Sequence, residues 1–275
     1  MATTTPENQT FLEFFPLTLF ASVSTLSSLS YAWGFTGTDT GLWIKQVLAI
    51  AAISLFVLFS VIYLLKWFKY PELVAKEFND PVAVNLFGVF FISLLLISGL
   101  LRAYNIQLAL VLWSVSTLLN FLFSYMVITR WITQQQNPQH ALPVWAIPVL
   151  GLLDIPLTGY PFQYAVVHEI CLIFLAAGIL FTLIVVTMIF QRLVFQEGIA
   201  ATLQPTLLLL SAPFALLFAD YEQITGRQDL VAVLLFYMSI VLLILFGRKL
   251  LGCLTHLQFT ITWWSISFPL AAAVP

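Results

Sequence analysis

PVWAIPVLGLLDIP, from Pro143 to Pro156, sets three prolines and one acid among apolar residues. Proline removes a backbone hydrogen-bond donor and bends a helix. At membrane depth, the carbonyl group that it frees is tolerated only where a neighbouring helix or a water-filled cavity satisfies it. If the chain crosses a membrane, this stretch therefore belongs to a bent helix in the interior of the protein.

The composition places the chain in a membrane. Hydrophobic residues make up 61% and charged residues 8% of the 275 residues, and the mean hydropathy is +1.02. So few ionisable side chains cannot cover the surface of a water-soluble protein of this size. The apolar residues come in blocks of about twenty, which is the length of a spanning helix and not of a barrel strand. The net charge of -2 predicts no nucleic-acid partner.

We predict nine membrane spans within one domain, residues 1–275. The spans are 12–33, 43–67, 82–101, 105–130, 143–159, 163–190, 203–221, 229–247 and 257–275. The basic residues of the connections are distributed unevenly between the two sides, and the positive-inside rule places the N-terminus in the cytoplasm of a multi-pass protein of the plasma (inner) membrane. The basic residues that follow even-numbered spans are Lys66, Lys69, Lys76, Arg130, Arg192, Arg248 and Lys249.

Prolines interrupt the odd-numbered spans and are absent from the even-numbered ones. We therefore predict that bent odd-numbered helices line a central pore and that straight even-numbered helices form an outer layer. The prolines at which we expect a kink or a pore-lining segment are Pro16, Pro148, Pro156, Pro213 and Pro269.

The prolines also mark a repeat. Pro16, Pro81, Pro143, Pro205 and Pro269 are separated in turn by 65, 62, 62 and 64 residues. Each unit contains one bent span, a polar connection and one straight span. The sequence therefore predicts an all-α protein built from repeated helical hairpins.

The expected lining carries no fixed charge. Spans three, seven and nine contain no ionisable residue in their apolar stretches and offer Gly88, Gly99, Ser265 and other small or hydroxyl residues. Such a lining has no metal ligand set and no nucleophile–base pair, so we expect neither a metal, a cofactor nor catalytic residues. It suits weakly hydrated anions, which hydroxyl groups and backbone dipoles can accompany. The same residues also suit ordinary packing of helices through small side chains.

Three acids near the spans have different expected roles. Asp154 lies between Pro148 and Pro156 and is either a proton-coupling site or a group facing a polar neighbour. Asp220 and Glu222 close span seven and indicate an interfacial charge cluster.

The connection from 69 to 81 is the longest polar one. Its Glu72, Lys76 and Glu77 are spaced as on one face of a helix, which predicts a short amphipathic helix at the cytoplasmic surface.

Five phrases, in order along nearly the whole chain, resemble the tellurite-resistance/dicarboxylate transporter family, whose members include the bacterial TehA proteins, the plant slow-type anion channels and the fungal malate transporters. The phrases are FPLTLFA from Phe15, KYPELVAKEFNDPV from Lys69, PVWAIPVLGLL from Pro143, LQPTLLLLSAPFA from Leu203 and WWSISFPL from Trp263.

The resemblance implies a ten-span protomer of five hairpins with an inner five-helix pore, and a homotrimer in the lipid bilayer. It also implies that a phenylalanine in span nine occludes the pore; the matching residue is Phe268, held against Pro269. The substrates that it implies are chloride and nitrate, with tellurite or dicarboxylates such as malate in other members.

The resemblance and the repeat together predict a tenth span that this chain lacks, since the fifth hairpin has only its bent helix. Three functions stay open. The first is an anion channel gated by Phe268, and the second is a proton-coupled exporter of dicarboxylate or tellurite that uses Asp154. The third is a non-transporting, degenerate membrane paralogue. We expect no enzymatic activity.

Overall fold

The computed structural model describes residues 11–251 and 263–272, without the side chains of 265, 266 and 272. Within these ranges the chain forms ten α-helices and several short 3-10 segments. The α-helices are α1 (Phe20–Gly34), α2 (Asp39–Lys69), α3 (Pro71–Asn79), α4 (Phe87–Leu101), α5 (Ile106–Thr133), α6 (Ile147–Gly159), α7 (Ala165–Phe195), α8 (Ala212–Thr225), α9 (Leu230–Leu251) and α10 (Trp264–Ala272).

The odd-numbered spans are built in two parts. A 3-10 segment, which we call a lead-in, precedes each of α1, α4, α6 and α8. A proline of the predicted repeat stands before, at the start of, or inside each lead-in, because proline fixes φ and has no donor to place in an α-helical turn. The lead-ins are Leu17–Leu19, Ala83–Leu86, Pro143–Ala146 and Ala201–Ser211.

The even-numbered spans are continuous α-helices. Helices α2 and α7 have 31 residues each, about 46 Å at 1.5 Å per residue, which exceeds the roughly 30 Å hydrocarbon core. Their apolar side chains face outward: only 11% of the most apolar window of α2 is buried, against 78% for Ala201–Thr225. These helices therefore present their side chains to lipid, as predicted for an outer layer.

The helices pack as hairpins around a closed ring. Helix α1 pairs with α2, α4 with α5, α6 with α7, and α8 with α9. The inner members also pack on one another in the order α1, α4, α6, α8, and α10 closes the ring against both α8 and α1. This arrangement confirms the predicted inner layer of odd-numbered helices and outer layer of even-numbered ones.

The predicted spans lie close to the observed helices. The described ranges contain six segments long and apolar enough to cross a membrane. The amphipathic connection forms α3, as predicted. Residues 257–262 and 273–275 of predicted span nine lie outside the described residues, and so do residues 1–10.

Candidate functional site

A cavity lies inside the ring, at the end where the lead-ins stand. All five inner helices or their lead-ins line this cavity. Its volume is about 110 Å³. No lining side chain is charged. The polar groups are the hydroxyls of Thr18, Ser24 and Thr206, and the other lining residues are apolar. The surface of the cavity is nonetheless almost wholly apolar, because the Ser24 and Thr206 hydroxyls bond to groups of the protein itself.

Helix α10 brings Phe268 to the wall of this cavity. The Phe268 side chain is buried, and Pro269 follows it inside the helix. A hydrogen bond of 3.0 Å between the hydroxyls of Thr25 and Ser267 joins α10 to α1, so the helix is fixed beside its neighbour. Ser265, also predicted here, has a side chain outside the described residues.

The inner serines are hydrogen-bonded within the ring. The hydroxyls of Ser24 and Ser93 are 2.9 Å apart and join α1 to α4. Ser93 donates to the carbonyl of Val89, and Ser98 and Ser211 donate to carbonyls of their own helices. Most of these hydroxyls therefore serve helix packing, while Ser24 also reaches the cavity.

Side chains from neighbouring helices satisfy the carbonyl groups around the prolines of α6. Ser124 of α5 donates to the Pro148 carbonyl at 2.9 Å, and Gln223 of α8 donates to the Pro156 carbonyl at 3.3 Å. These bonds join α6 to α5 and α8 next to its two prolines.

The other prolines that we expected to bend or line the pore stand at the entrances of their helices. Pro16 precedes the lead-in of α1 in an extended conformation, and Pro213 is in the first turn of α8, where a missing donor leaves no hydrogen bond unmade.

Both predicted glycines lie at close helix contacts, and neither is among the cavity-lining residues. A Cβ atom at Gly88 would meet Ile147 at 2.8 Å and Phe123 at 3.0 Å. A Cβ atom at Gly99 would collide with the Tyr31 hydroxyl. These glycines therefore let side chains of other helices approach α4.

Asp154 is fully buried in α6, and neither of its carboxyl oxygens has a hydrogen-bond partner. Asp220 of α8 is in the same state, and the two carboxyl groups interact electrostatically. The predicted interfacial cluster at Asp220 is therefore wrong. Every residue of α8 from Ala212 to Phe218 is buried as well, so no helical periodicity in the sequence indicated the burial of Asp220.

Comparison with known proteins identifies the architecture. The family model described as "SLAC1: Voltage-dependent anion channel" matches residues 14–274. The chain belongs to this family. It is an integral membrane protein, and its helical hairpins agree with the family resemblance of the five phrases.

Relatives of this family member include plant and bacterial proteins. The S-type anion channel SLAH3 of Arabidopsis thaliana is 24% identical over 273 residues, which are 96% of this chain and 42% of that protein. The S-type anion channel SLAH2 of the same plant is 26% identical, over 97% of this chain and 53% of that protein. The tellurite resistance protein TehA homolog of Haemophilus influenzae is 25% identical, over 90% of this chain and 75% of that protein.

This chain thus spans about half the length of the plant channels that it matches. The names of these relatives describe anion channels and a resistance protein, not enzymes. In the part of the chain that the structure describes, no group of three or more His, Cys, Asp or Glu residues could hold a metal ion.

The burial of one charged group in this SLAC1-family chain was not predicted from the sequence. The Lys66 amine, at the end of α2, is 1% exposed and donates to the Phe15 carbonyl at 3.0 Å and to Glu77 at 2.5 Å. Tyr63 donates to the other oxygen of Glu77. The cluster fastens α3 and the entrance of α1 to α2, so it positions the lead-in end of the ring.

Proposed function

We propose that the chain passes small anions through the ring of five inner helices, with Phe268 as the constriction. The observation that carries this proposal is an uncharged cavity that residues of all five inner helices or their lead-ins line, Phe268 among them. The cavity holds no cationic trap and its surface is almost wholly apolar, so the proposal requires an anion that loses its hydration shell easily.

Chloride and nitrate are the proposed substrates, because both lose their hydration shells more easily than strongly hydrated ions and the lining offers no cationic trap. The names of the plant relatives, which are called anion channels, support this choice. Tellurite or dicarboxylates are further candidates, because the bacterial relative is named for tellurite resistance.

Replacing the proposed gate tests the function. In oocytes or planar bilayers, Phe268→Ala should raise the chloride and nitrate currents, and Phe268→Leu, which keeps most of the bulk, should raise them less. Phe11→Ala is the matched control, since Phe11 is exposed at the outside of the fold. Unchanged currents from Phe268→Ala at equal surface expression would contradict the gate.

A second candidate is proton-coupled export of dicarboxylate or tellurite, favoured by the burial of Asp154 in an inner helix. Asp154→Asn should then abolish uptake driven by a pH gradient in proteoliposomes. Uptake that is indifferent to the gradient would exclude the coupling. Saturable anion flux through the purified wild type would exclude the remaining alternative, a non-transporting paralogue.

The assembly in the bilayer is proposed on the family resemblance and on the distribution of charge. We place a homotrimer in the plasma (inner) membrane with a cytoplasmic N-terminus. Cross-linking in native membranes should give a trimer, and a tag at residue 1 should react with an impermeant reagent only after the cells are opened.

A further inference from the structure

Two neighbouring inner helices each carry a buried carboxyl group beyond the cavity, and the two groups interact electrostatically. Asp154 is four residues past the cavity-lining Leu150, and Asp220 is in the second half of α8. Helices α6 and α8 are neighbours in the ring. Both side chains are 0% exposed, and all four oxygens have no hydrogen-bond donor. Each group therefore has two acceptor atoms, and no described residue donates a hydrogen bond that would stabilise a negative charge on them.

Among residues 11–251 and 263–272, neither carboxyl group forms an ion pair. The titratable groups with an electrostatic interaction with the pair are Tyr31 of α1 and Cys171 of α7, both neutral when protonated. The Tyr31 hydroxyl donates to the Leu96 carbonyl at 2.9 Å, so its proton is already used. Arg102, beyond the end of α4, acts on Tyr31 and donates to the Pro161 carbonyl.

The other helices packed against α6 and α8 add no cation near the pair. The described parts of α4 and α10 contain no titratable residue. Helix α5 carries Tyr125 and Arg130. Tyr125 is exposed, and Arg130 donates to the Phe78 carbonyl at the lead-in end of the fold. Helix α9 carries the exposed Tyr237 and, in its last turn, Arg248 and Lys249. The remaining titratable groups of α7 are His168, which stacks on Tyr160, the exposed Glu169, and Arg192 near the far end of the helix.

We propose that Asp154 and Asp220 form a proton-binding site within the wall of the helix ring, and that the bound protons keep this part of the ring uncharged. A buried carboxylate without a donor or cation is strongly disfavoured, and two interacting carboxylates are more so. A proton removes the charge with no further ligand, whereas metal sites in proteins generally use three or more side-chain ligands or several waters, and among the described residues no third His, Cys, Asp or Glu joins the pair in a metal-binding group.

The site has a consequence for transport, and this consequence rests on the proposed function. When both carboxyl groups hold protons, an anion passes a neutral wall. When alkaline conditions remove a proton, the negative charge of the carboxylate repels the anion within a ring of low dielectric constant. Anion flux should therefore fall as the pH rises, and a variant with asparagine at both positions should conduct independently of pH.

Infrared difference spectroscopy of the purified chain in nanodiscs tests the site without any flux measurement. At neutral pH the wild type should show the C=O stretching band of a protonated carboxylic acid, shifted by exchange into D₂O. Asp154→Asn and Asp220→Asn should each remove part of the band, and the double variant should remove all of it. Asn resembles a protonated Asp in shape, so we expect these variants to fold.

Asp229→Asn is the control and should leave the band unchanged, because Asp229 is exposed. A wild type without the band, or a band that survives in the double variant, overturns the site. A band that appears only after sodium is removed also overturns it, in favour of a bound cation. If either single variant fails to fold, the site is still tested by the other variant and by the pH titration of the wild-type band, which should disappear as the pH rises. A confirmed band without anion flux refutes the proposed function alone.

Discussion

The two halves of the helix ring differ, although the same hairpin repeat builds both. At the lead-in half, the side chains of all five inner helices leave a cavity whose wall holds Phe268. In the far half, formed by the C-terminal turns of α1, α4, α6 and α8, the helices pack closely around glycines and enclose Asp154 and Asp220. A proline repeat therefore fixes the ring, while the choice of small residues decides which half is filled.

Enlarging a glycine in the far half should give the largest effect. A Cβ atom at Gly159, at the end of α6, would collide with the indole ring of Trp113, which is rigid and buried. We expect Gly159→Val to lower the free energy of unfolding by about 3 kcal/mol or more, since the close-packed site cannot yield. Thermal unfolding in detergent measures this loss.

Gly198→Val is the matched control for this substitution, because a Cβ atom at Gly198 meets nothing within 4 Å. If Gly159→Val melts at the same temperature as Gly198→Val, the far half is not the closely packed half, and the contrast between the halves fails.

Removing the Lys66 cluster, which holds the lead-in half, should give the second largest loss in the free energy of unfolding. Lys66→Met keeps the length of the side chain but removes its hydrogen bonds to the Phe15 carbonyl and to Glu77. We expect a loss of about 2 kcal/mol, typical for buried hydrogen bonds of a charged donor. Hydrogen exchange should accelerate in the lead-in Leu17–Leu19 and stay slow in α6.

The control for Lys66 is Lys76→Met, which changes an exposed lysine in the neighbouring α3. Equal exchange rates at the lead-in for the two variants would show that the Lys66 cluster does not hold that half of the ring.

Filling the cavity should cost little stability and change transport. Ala21 lines the cavity, so the two methyl groups added by Ala21→Val occupy empty space. We expect the free energy of unfolding to change by less than about 1 kcal/mol, with stabilisation the favoured sign. The chloride current of a Phe268→Ala background should fall, because the added volume narrows the path. A large loss of stability would show that the lead-in half has no room.

Hydropathy, basic residues and prolines were sufficient to predict the spans, the hairpins and the inner position of the odd-numbered helices. The same reasoning predicted α3 from the spacing of Glu72 and Lys76. It placed Asp220 at the membrane surface, because Glu222 and Arg227 follow closely and a linear pattern does not show how a helix is rotated. The preceding part of α8, Ala212 to Phe218, is buried on all sides, and the packing of neighbouring helices extends this burial to Asp220.

The close contacts and the cavity could not be predicted from one chain. Nothing in the local sequence of Gly99 indicates that Tyr31 of another helix fills its notch, since that contact depends on how α1 crosses α4. Lys66 resembles any cytoplasmic lysine in sequence, and only the tertiary packing of α3 buries its amine. The roles of Phe268 and Asp154 stay predictions.

The carboxyl group of Asp229 contrasts with Asp220 because it lies outside the helices and has donors. A hydrogen bond of 2.7 Å from the Tyr221 hydroxyl is the main reason why its pKa lies below the ordinary value. The backbone N–H groups of Val231 and Ala232 act in the same direction. Because the pKa is lowered, these hydrogen bonds stabilise the fold at pH values above the ordinary pKa of Asp. This stabilisation is lost as the pH falls through the pKa of Asp229 in the folded protein.

Removing the Tyr221 hydroxyl should have the smallest effect on stability of the changes considered. It also tests the contrast between Asp229, which has donors, and the carboxyl groups of the far half, which have none in the described part of the chain. We expect Tyr221→Phe to raise the pKa of Asp229 towards its ordinary value, as followed by NMR of the labelled carboxyl carbon. The change in stability should be slight, since both groups are exposed to solvent. Tyr104→Phe, at another exposed tyrosine, should leave the pKa of Asp229 unchanged. If Tyr221→Phe also leaves it unchanged, the backbone N–H groups alone hold this carboxylate, and donors from the chain itself suffice to keep an acid ionised at the edge of the ring.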